Sequence, residues 1–384
     1  MSFHINHRTG LVILEEALVD VGVRGINMQW KTAQRNTTQR RPRSAGGRRL
    51  SRQGITLVEV IVIIAIVLVL AGLLLPWTGT VRYSARRARC GNSLRQLGLA
   101  LHNYHDAFSR FPAAFGSPTF ATAEEPENRG RLSGNILLLP YLEQNALWEQ
   151  IASPFESNGR HYPAFGPNVH DSNYQPWQQS LPVFQCPADS ILTPAPSSYA
   201  YCIGMQTQKI HQQATQDLQQ RGVFAFGVEP TLGMISDGAS NTIMMSEMGP
   251  GPQRLLGGGW EVGATTKDLK LAGQHAKFLI DPQHPDQYRT TVALSAEPRG
   301  ARWFDGAAPS TLFQTVLSPG QPSFAVGAGE LPDGVFSAKS SHSNSVNVLY
   351  ADGSVASIID EINLEVWQAL GTISGGEAVS ANDY

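Results

Sequence analysis

Residues 54–76 read GITLVEVIVIIAIVLVLAGLLLP, and how this stretch is read decides the fold. From Ile55 to Leu75 there are 21 residues carrying one charge, Glu59. As a helix the run spans about 32 Å, enough to cross a hydrocarbon core of roughly 30 Å. Soluble helices are seldom so long and so evenly apolar. Ahead of the run stand Lys31, Arg35, Arg40, Arg41, Arg43, Arg48, Arg49 and Arg52, eight cations with no anion among them. The positive-inside rule keeps that basic side in the cytoplasm and exports the chain beyond Pro76.

The charge balance agrees. The chain of 384 residues has a formal net charge of −2, but residues 1–54 hold ten of its 29 Lys and Arg and three of its 31 Asp and Glu. The remainder keeps 19 basic and 28 acidic residues, so a basic leader precedes an acidic body. A basic segment alone would suggest nucleic acid; the apolar run directly after it points to the cytoplasmic membrane, and no nucleic-acid partner is expected. A hydrophobic content of 42% excludes a disordered chain, and 3 Cys are too few for a disulfide-built miniprotein. With Gly 37 and Pro 24 the body should be turn-rich and largely β rather than a helical bundle. The run is too long for the core of a secretory signal and ends without a small-x-small cleavage site.

The near edge is more specific. Gly54-Ile-Thr-Leu-Val-Glu59 resembles the prepilin-type cleavage and methylation signal of type IV pilins and type II secretion pseudopilins. The resemblance implies that a prepilin peptidase cuts after Gly54, that Ile55 becomes a methylated N-terminus, and that Glu59 is the acidic residue five places in. A carboxylate in an apolar span costs about 2.5–3.5 kcal/mol and so needs a partner. The amine freed at Ile55 is one, in the same chain or a neighbouring subunit, where the pairing would set the stagger of a filament. Pro76 falls where pilins often kink the helix. The leader is long for this class, and Met28 is the expected start of translation.

The expected organisation is a leader over 1–54, a membrane helix over 55–75, an amphipathic continuation over 76–111 and an exported α+β domain over 112–384. Val81, Ala85, Ala88, Leu94, Leu97, Leu101, Tyr104 and Phe108 form an apolar stripe at helical spacing. The helix should stop near Phe111-Pro112. The expected fold is thus a long pilin-like N-terminal helix packed on a mostly antiparallel, β-rich domain. ILLLPYLEQNALWEQI (136–151) reads as a short helix, 152–180 as a long loop, and the Gln-rich 206–220 as a surface insertion. Strands are expected at 183–185, 199–203, 223–226, 242–247 and 346–351; 249–332 has no clear pattern.

Val346–Ala351 and Ser354–Ile359 flank Asp352-Gly353, which predicts a hairpin closed by a two-residue type I′ turn. His342 lies nine residues before Asp352. A prepilin-type segment joined to a C-terminal His-x9-Asp-Gly motif is similar to a bacterial family of unknown function, some of whose members are labelled solute-binding-like. Matching pieces include CGNSLRQLGLALHNYHD (90–106), LLPYLEQ (138–144), FQCPAD (184–189), SDGASNT (236–242) and GGE (375–377). The resemblance covers about 54–379 and brings no established activity. Cys90 and Cys186 both fall in these motifs, which implies their pairing; a Cys186–Cys202 link is the rival.

Other candidates carry less. His102 and Asp106, with His105 beside them, would need further ligands to hold a metal and read better as helix–sheet partners. His342 and Asp352 with Ser340, Ser341 or Ser343 could form a hydrolytic triad, but there is no G-x-S-x-G elbow, and Asp352-Gly353 reads as the turn. Asp237-Gly238 with Ser240 and Asn241 reads as a turn rather than a calcium loop. No cofactor, metal or enzymatic activity is expected. The reading is a pseudopilin-like, single-pass envelope protein with a cytoplasmic N-terminus, processed by prepilin peptidase and assembled with itself or with a type II secretion or type IV pilus-like machine. A tethered solute- or polysaccharide-binding protein is the alternative, and an exported hydrolase the weaker one.

Overall fold

A computed structural model describes residues 54–74, 78–120, 128, 131–157, 159–190, 193–342 and 344–376. The basic leader, Met28, Pro76, Ser343 and Glu377 lie outside the described residues. The chain forms two compact units, Met1–Ile66 and Val67–Tyr384.

α1 (Leu57–Leu74) begins on a reciprocal cap: Thr56 Oγ1 accepts from Glu59 N, and Glu59 Oε2 accepts from Thr56 N at 2.8 Å. Its apolar side chains are exposed, from Leu57 at 78% to Leu70 at 54%. At 18 residues it is about 27 Å long, and among the described residues no helix is long and apolar enough to cross a membrane.

α2 (Thr78–Phe108) buries Cys90, Leu94, Leu97, Ala100, Leu101 and Tyr104, so the predicted stripe is packed from Leu94 to Tyr104, whereas its members Ala85, Ala88 and Phe108 are exposed. Each of the leucines is worth about 1.5–3 kcal/mol when removed from water. The helix ends at Phe108, three residues before Phe111-Pro112, because Ser109 takes φ +57. The segment expected as one helix over 136–151 is broken into α3 (Asn135–Leu138), a 3-10 turn (Leu139–Leu142) and α4 (Asn145–Ala152). Pro140 sits in that 3-10 turn and Glu143, at φ +61, ends it. The expected loop over 152–180 contains a small hairpin, β1 (Phe155–Ser157) with β2 (Arg160–Tyr162).

The remaining strands are β3 (Tyr199–Cys202), β4 (Ile243–Glu247), β5 (Glu261–Ala264), β6 (Leu312–Phe313), β7 (Phe324–Val326), β8 (Gly334–Val335), β9 (Ser345–Tyr350) and β10 (Val355–Ile359). The other helices are α5 (Thr266–Lys270), α6 (Ala272–Leu279), α7 (Ala308–Thr311) and α8 (Leu364–Gly371). Residues 183–185 fall at the end of a 3-10 turn instead of a strand, and 223–226 form no strand. The domain is α+β with mostly antiparallel sheets: a five-stranded sheet ordered β10-β9-β4-β3-β6 and a three-stranded one ordered β5-β7-β8. Among the described strand pairs, β3–β6 and β5–β7 run parallel and the others antiparallel.

Both faces of the larger sheet are covered, which explains why β3, β4 and β9 have no exposed position. Tyr199, Tyr201 and Leu349 belong to the core shared with α2, whereas Ala200, Cys202, Val346 and Val348 pack with Trp367 and Leu370 of α8. Gly98 brings α2 close to β9; a Cβ there would meet Leu349 Cδ1 at 2.7 Å. The β9–β10 hairpin has the expected register side, but its turn differs. Gly353 N donates to Tyr350 O and Tyr350 N to Ser354 O, leaving a three-residue connection, Ala351–Gly353. Only Gly353 of the three has positive φ, so this is a turn closed by one left-handed glycine, not a type I′ pair. Gln206, inside the supposed surface insertion, is buried and donates to the carbonyls of Gln208, Lys209 and Gln213, folding that loop on itself with Ile210 and His211 inside.

Candidate site around Cys90, Cys186, Glu247 and His342

Four elements bring chemistry to one buried spot. Cys90 sits on the inner face of α2, and Cys186 comes just after the 3-10 turn Pro182–Phe184. Glu247 ends β4, and His342 precedes β9 by three residues. Cys90 and Cys186 are joined in a disulfide, with Cα atoms 5.0 Å apart, and Cys202 is left free and buried. His342 Nε2 lies 3.3 Å from Cys90 Sγ and 3.4 Å from Cys186 Sγ. The ligating atoms of all four residues lie within 4.8 Å of one another.

The surroundings hold these groups in place. Cys186 N donates to Ser198 Oγ at 2.8 Å, and Tyr199 OH donates to Cys90 O at 3.1 Å. Asn347 donates from its backbone N and its Nδ2 to the two oxygens of Glu247, each at 3.0 Å. Tyr83 stands edge-on to the His342 ring at 5.6 Å. His342 Nδ1 is buried and has no hydrogen-bond partner among the described residues. Burial pushes the Glu247 carboxyl up, against the Asn347 bonds that favour its charge. Burial also lowers His342, with Arg87 and Arg86 acting in the same direction. Nearby Asp189 is pushed up to about 7 by burial, against the hydroxyls of Ser198 and Ser341.

A family model described as a protein of unknown function (DUF1559), short name SBP_bac_10, matches residues 79–365, three quarters of the chain. This chain belongs to that family. No curated protein and no solved structure matches it. Cys90, Cys186, Glu247, His342, Asp352 and Gly353 all lie inside the DUF1559 match, whereas Gly54, Ile55 and Glu59 precede it.

Within this DUF1559 chain the other sequence candidates are dispersed. His342 and Asp352 stand at opposite ends of β9, about 20 Å of strand apart. Asp352 Oδ1 accepts from Ser354 N, and Ser340 Oγ from His342 N, so no His–Asp dyad is assembled. Gly353 packs beside His102, whose ring meets Phe111 edge-on. His105 also lies against Phe111, and Asp106 is exposed. Asp237 accepts from Gly375 N at 2.7 Å and Gly376 N at 3.0 Å, linking the SDGASNT loop to the C-terminal glycines. Gly54 and Ile55 are exposed just before α1. Glu247 had no sequence signal beyond one acid ending an apolar strand.

A second polar cluster lies elsewhere. Arg131 donates to both oxygens of Asp305, at 2.9 and 3.1 Å, and to Glu330 Oε2 at 3.1 Å. His170 Nε2 lies 3.1 Å from Arg131 Nη2, and Arg302 pairs with Glu297. A cleft of about 250 Å³, lined by His170, Thr193, Glu297 and Arg302, opens beside it.

Proposed function

We propose that this chain is a pseudopilin-like envelope protein, anchored in the cytoplasmic membrane by its apolar segment with the DUF1559 domain outside. The observation that carries the reading is the helix starting at Leu57, directly after Gly54-Ile55-Thr56, with an exposed apolar surface from Ile55 to Leu70. Such a surface calls for lipid or for like helices of other subunits. The 21-residue run in sequence is long enough for the first, and Glu59 within it is available to an amine freed at Ile55. The Cys90–Cys186 disulfide suits an oxidising compartment on the far side of the membrane. Prepilin peptidase is the processing partner, and a filament or a secretion-associated complex is the assembly this layout serves.

The test is intact-mass and N-terminal analysis of the protein from its native membrane. A chain beginning at methylated Ile55 is expected. Retention of the basic leader, or an N-terminus at residue 78 or later, would overturn the reading.

The cleft beside Arg131 favours a second reading, a tethered binding protein for a small polar solute. That protein would hold its ligand through the His170, Glu297 and Arg302 wall without any need for Gly54 or Glu59. Ligand binding lost on substitution of that wall, with processing unaffected, would favour it.

A further inference from the structure

We propose that Cys90, Cys186, His342 and Glu247 form a redox-gated zinc site: closed while the two cysteines are joined, and a four-ligand Zn²⁺ site once they are reduced. Two thiolates, one imidazole and one carboxylate make a complete tetrahedral donor set of the type zinc takes. The two N···S edges already have the length of those in a bound site. With Zn–S about 2.3 Å and Zn–N about 2.0–2.1 Å, the N···S edge of a tetrahedron is about 3.5 Å. His342 Nε2 stands 3.3 and 3.4 Å from the two sulfurs. Glu247 belongs to the same group of atoms, all within 4.8 Å of one another. The S···S edge alone is closed, by the covalent bond.

Two details suit a ligand role rather than packing. Glu247 accepts one bond on each oxygen from Asn347 and another from the Ser340 side chain, which fixes its orientation and still leaves a lone pair for a metal. His342 turns Nε2, not Nδ1, toward the sulfurs, and Nδ1 has no hydrogen-bond partner among the described residues. A histidine placed only for stability would be expected to bond through both nitrogens in so buried a place.

The chemistry balances with a dithiol reductant of the thioredoxin-like class working outside the membrane. It gives two electrons and two protons to the Cys90–Cys186 bond and leaves as its own disulfide. Entry of Zn²⁺ then displaces both thiol protons to solvent and forms two Zn–S bonds. Reoxidation by an exported dithiol oxidase reverses the sequence and releases the ion. The inference is independent of whether the chain assembles as a pseudopilin.

The experiment uses the full chain in detergent, oxidised or reduced with a phosphine and freed of reductant without oxygen. Each form is incubated with Zn²⁺ and desalted, and metal per chain is measured; Co²⁺ is used in parallel as an optical probe. Expected are one zinc per reduced chain, none per oxidised chain, and thiolate-to-cobalt charge-transfer bands with tetrahedral ligand-field bands in the reduced form only. His342→Ala and Glu247→Gln should each weaken zinc binding by about 10–100-fold or more. The Cys90→Ser/Cys186→Ser double variant should bind no zinc. Protection of Cys202 from alkylation reports that each variant is folded. Absence of zinc and of the cobalt bands in the reduced wild-type chain overturns the proposal, as does equal zinc in the oxidised chain. If the variants fail to fold, the wild-type cobalt spectrum decides alone.

Discussion

Thr56 and Glu59 cap each other at the start of α1, the hydroxyl and backbone N of Thr56 both donating to Glu59 Oε2, at 2.9 and 2.8 Å. Thr-x-x-Glu ahead of an apolar run is a helix-start signature, so Glu59 has a local role besides any pairing with an amine. The two roles separate by substitution. Glu59→Gln preserves a capping side chain but removes the charge, whereas Glu59→Ala removes both. Both variants are expected to lose self-crosslinking between α1 segments in native membranes. Wild-type crosslinking by the Gln variant would leave Glu59 as a cap and nothing more.

Asp237 ties two distant motifs, its oxygens accepting from Gly375 N and Gly376 N while Ser236 bonds Ile373 O. Charge-assisted bonds to backbone N–H groups are worth about 1.5–3 kcal/mol. Asp237→Ala should therefore lower stability by about 1–3 kcal/mol in denaturant titration. It should also speed amide exchange at Gly375 and Gly376 selectively. Exchange unchanged at those two amides would show that the segment is held by other contacts.

The sequence was most readable where one period or one turn signal ruled a segment. The α2 stripe keeps to helical spacing through its buried part, Leu94 to Tyr104, and the β9–β10 pair is marked by Asp352-Gly353 between two β-like runs; each was visible at once. Local backbone detail was not: the 136–151 helix broke at Pro140 and Glu143, and the hairpin turn took one positive φ where two were read. Both depend on single dihedrals that periodicity does not encode. The site was half legible. Cys90, Cys186 and His342 stood out by type, but Glu247 reads as one acid at the end of a buried strand. Only the pairing of β4 with β9 sets it beside Asn347 and the sulfurs.

The third cysteine makes the disulfide pairing cheap to verify. Cys202 is fully buried, its Sγ directed at Gly371 O, and burial pushes its thiol up to about 12. The native, unreduced chain should take up no alkylating reagent. Denatured without reductant, it should take up one equivalent, at Cys202. A label found at Cys90 instead would indicate a Cys186–Cys202 bond.

Two buried groups give opposite pH dependences. Asp189, raised from 3.8 to about 7 chiefly by burial, keeps its proton in the folded state where the unfolded chain has lost it. Its contribution therefore falls as pH rises from about 4 to 7. His211, lowered from 6.5 to about 3 by burial and then by Arg131, stays neutral and accepts from Ala308 N. Its contribution is lost as pH falls from about 6.5 toward 3. Each slope is at most about 1.4 kcal/mol per pH unit. Asp189→Asn should make stability rise more steeply between about pH 4 and 6.5 than in wild type, and His211→Gln should make it fall. Parallel stability curves for all three chains would show that neither group titrates in that window.

Arg131 and Asp305 form a two-pronged ion pair with side chains only 7% and 1% exposed. Asp305 also accepts from Ala307 N at 2.9 Å, so its carboxylate organises the turn that enters α7 (Ala308–Thr311). A pair this buried recovers little net energy, but removing Arg131 leaves Asp305 with Arg302, 3.8 Å from its Oδ2, in place of a two-pronged partner. Arg131→Met is expected to cost about 1–3 kcal/mol in denaturant unfolding. Adding Asp305→Asn should restore part of that loss, since the amide oxygen still accepts from Ala307 N without a charge to solvate. The double variant should therefore be more stable than Arg131→Met alone. If the two losses simply add, the pair is not coupled, and Asp305 acts through its backbone bond alone.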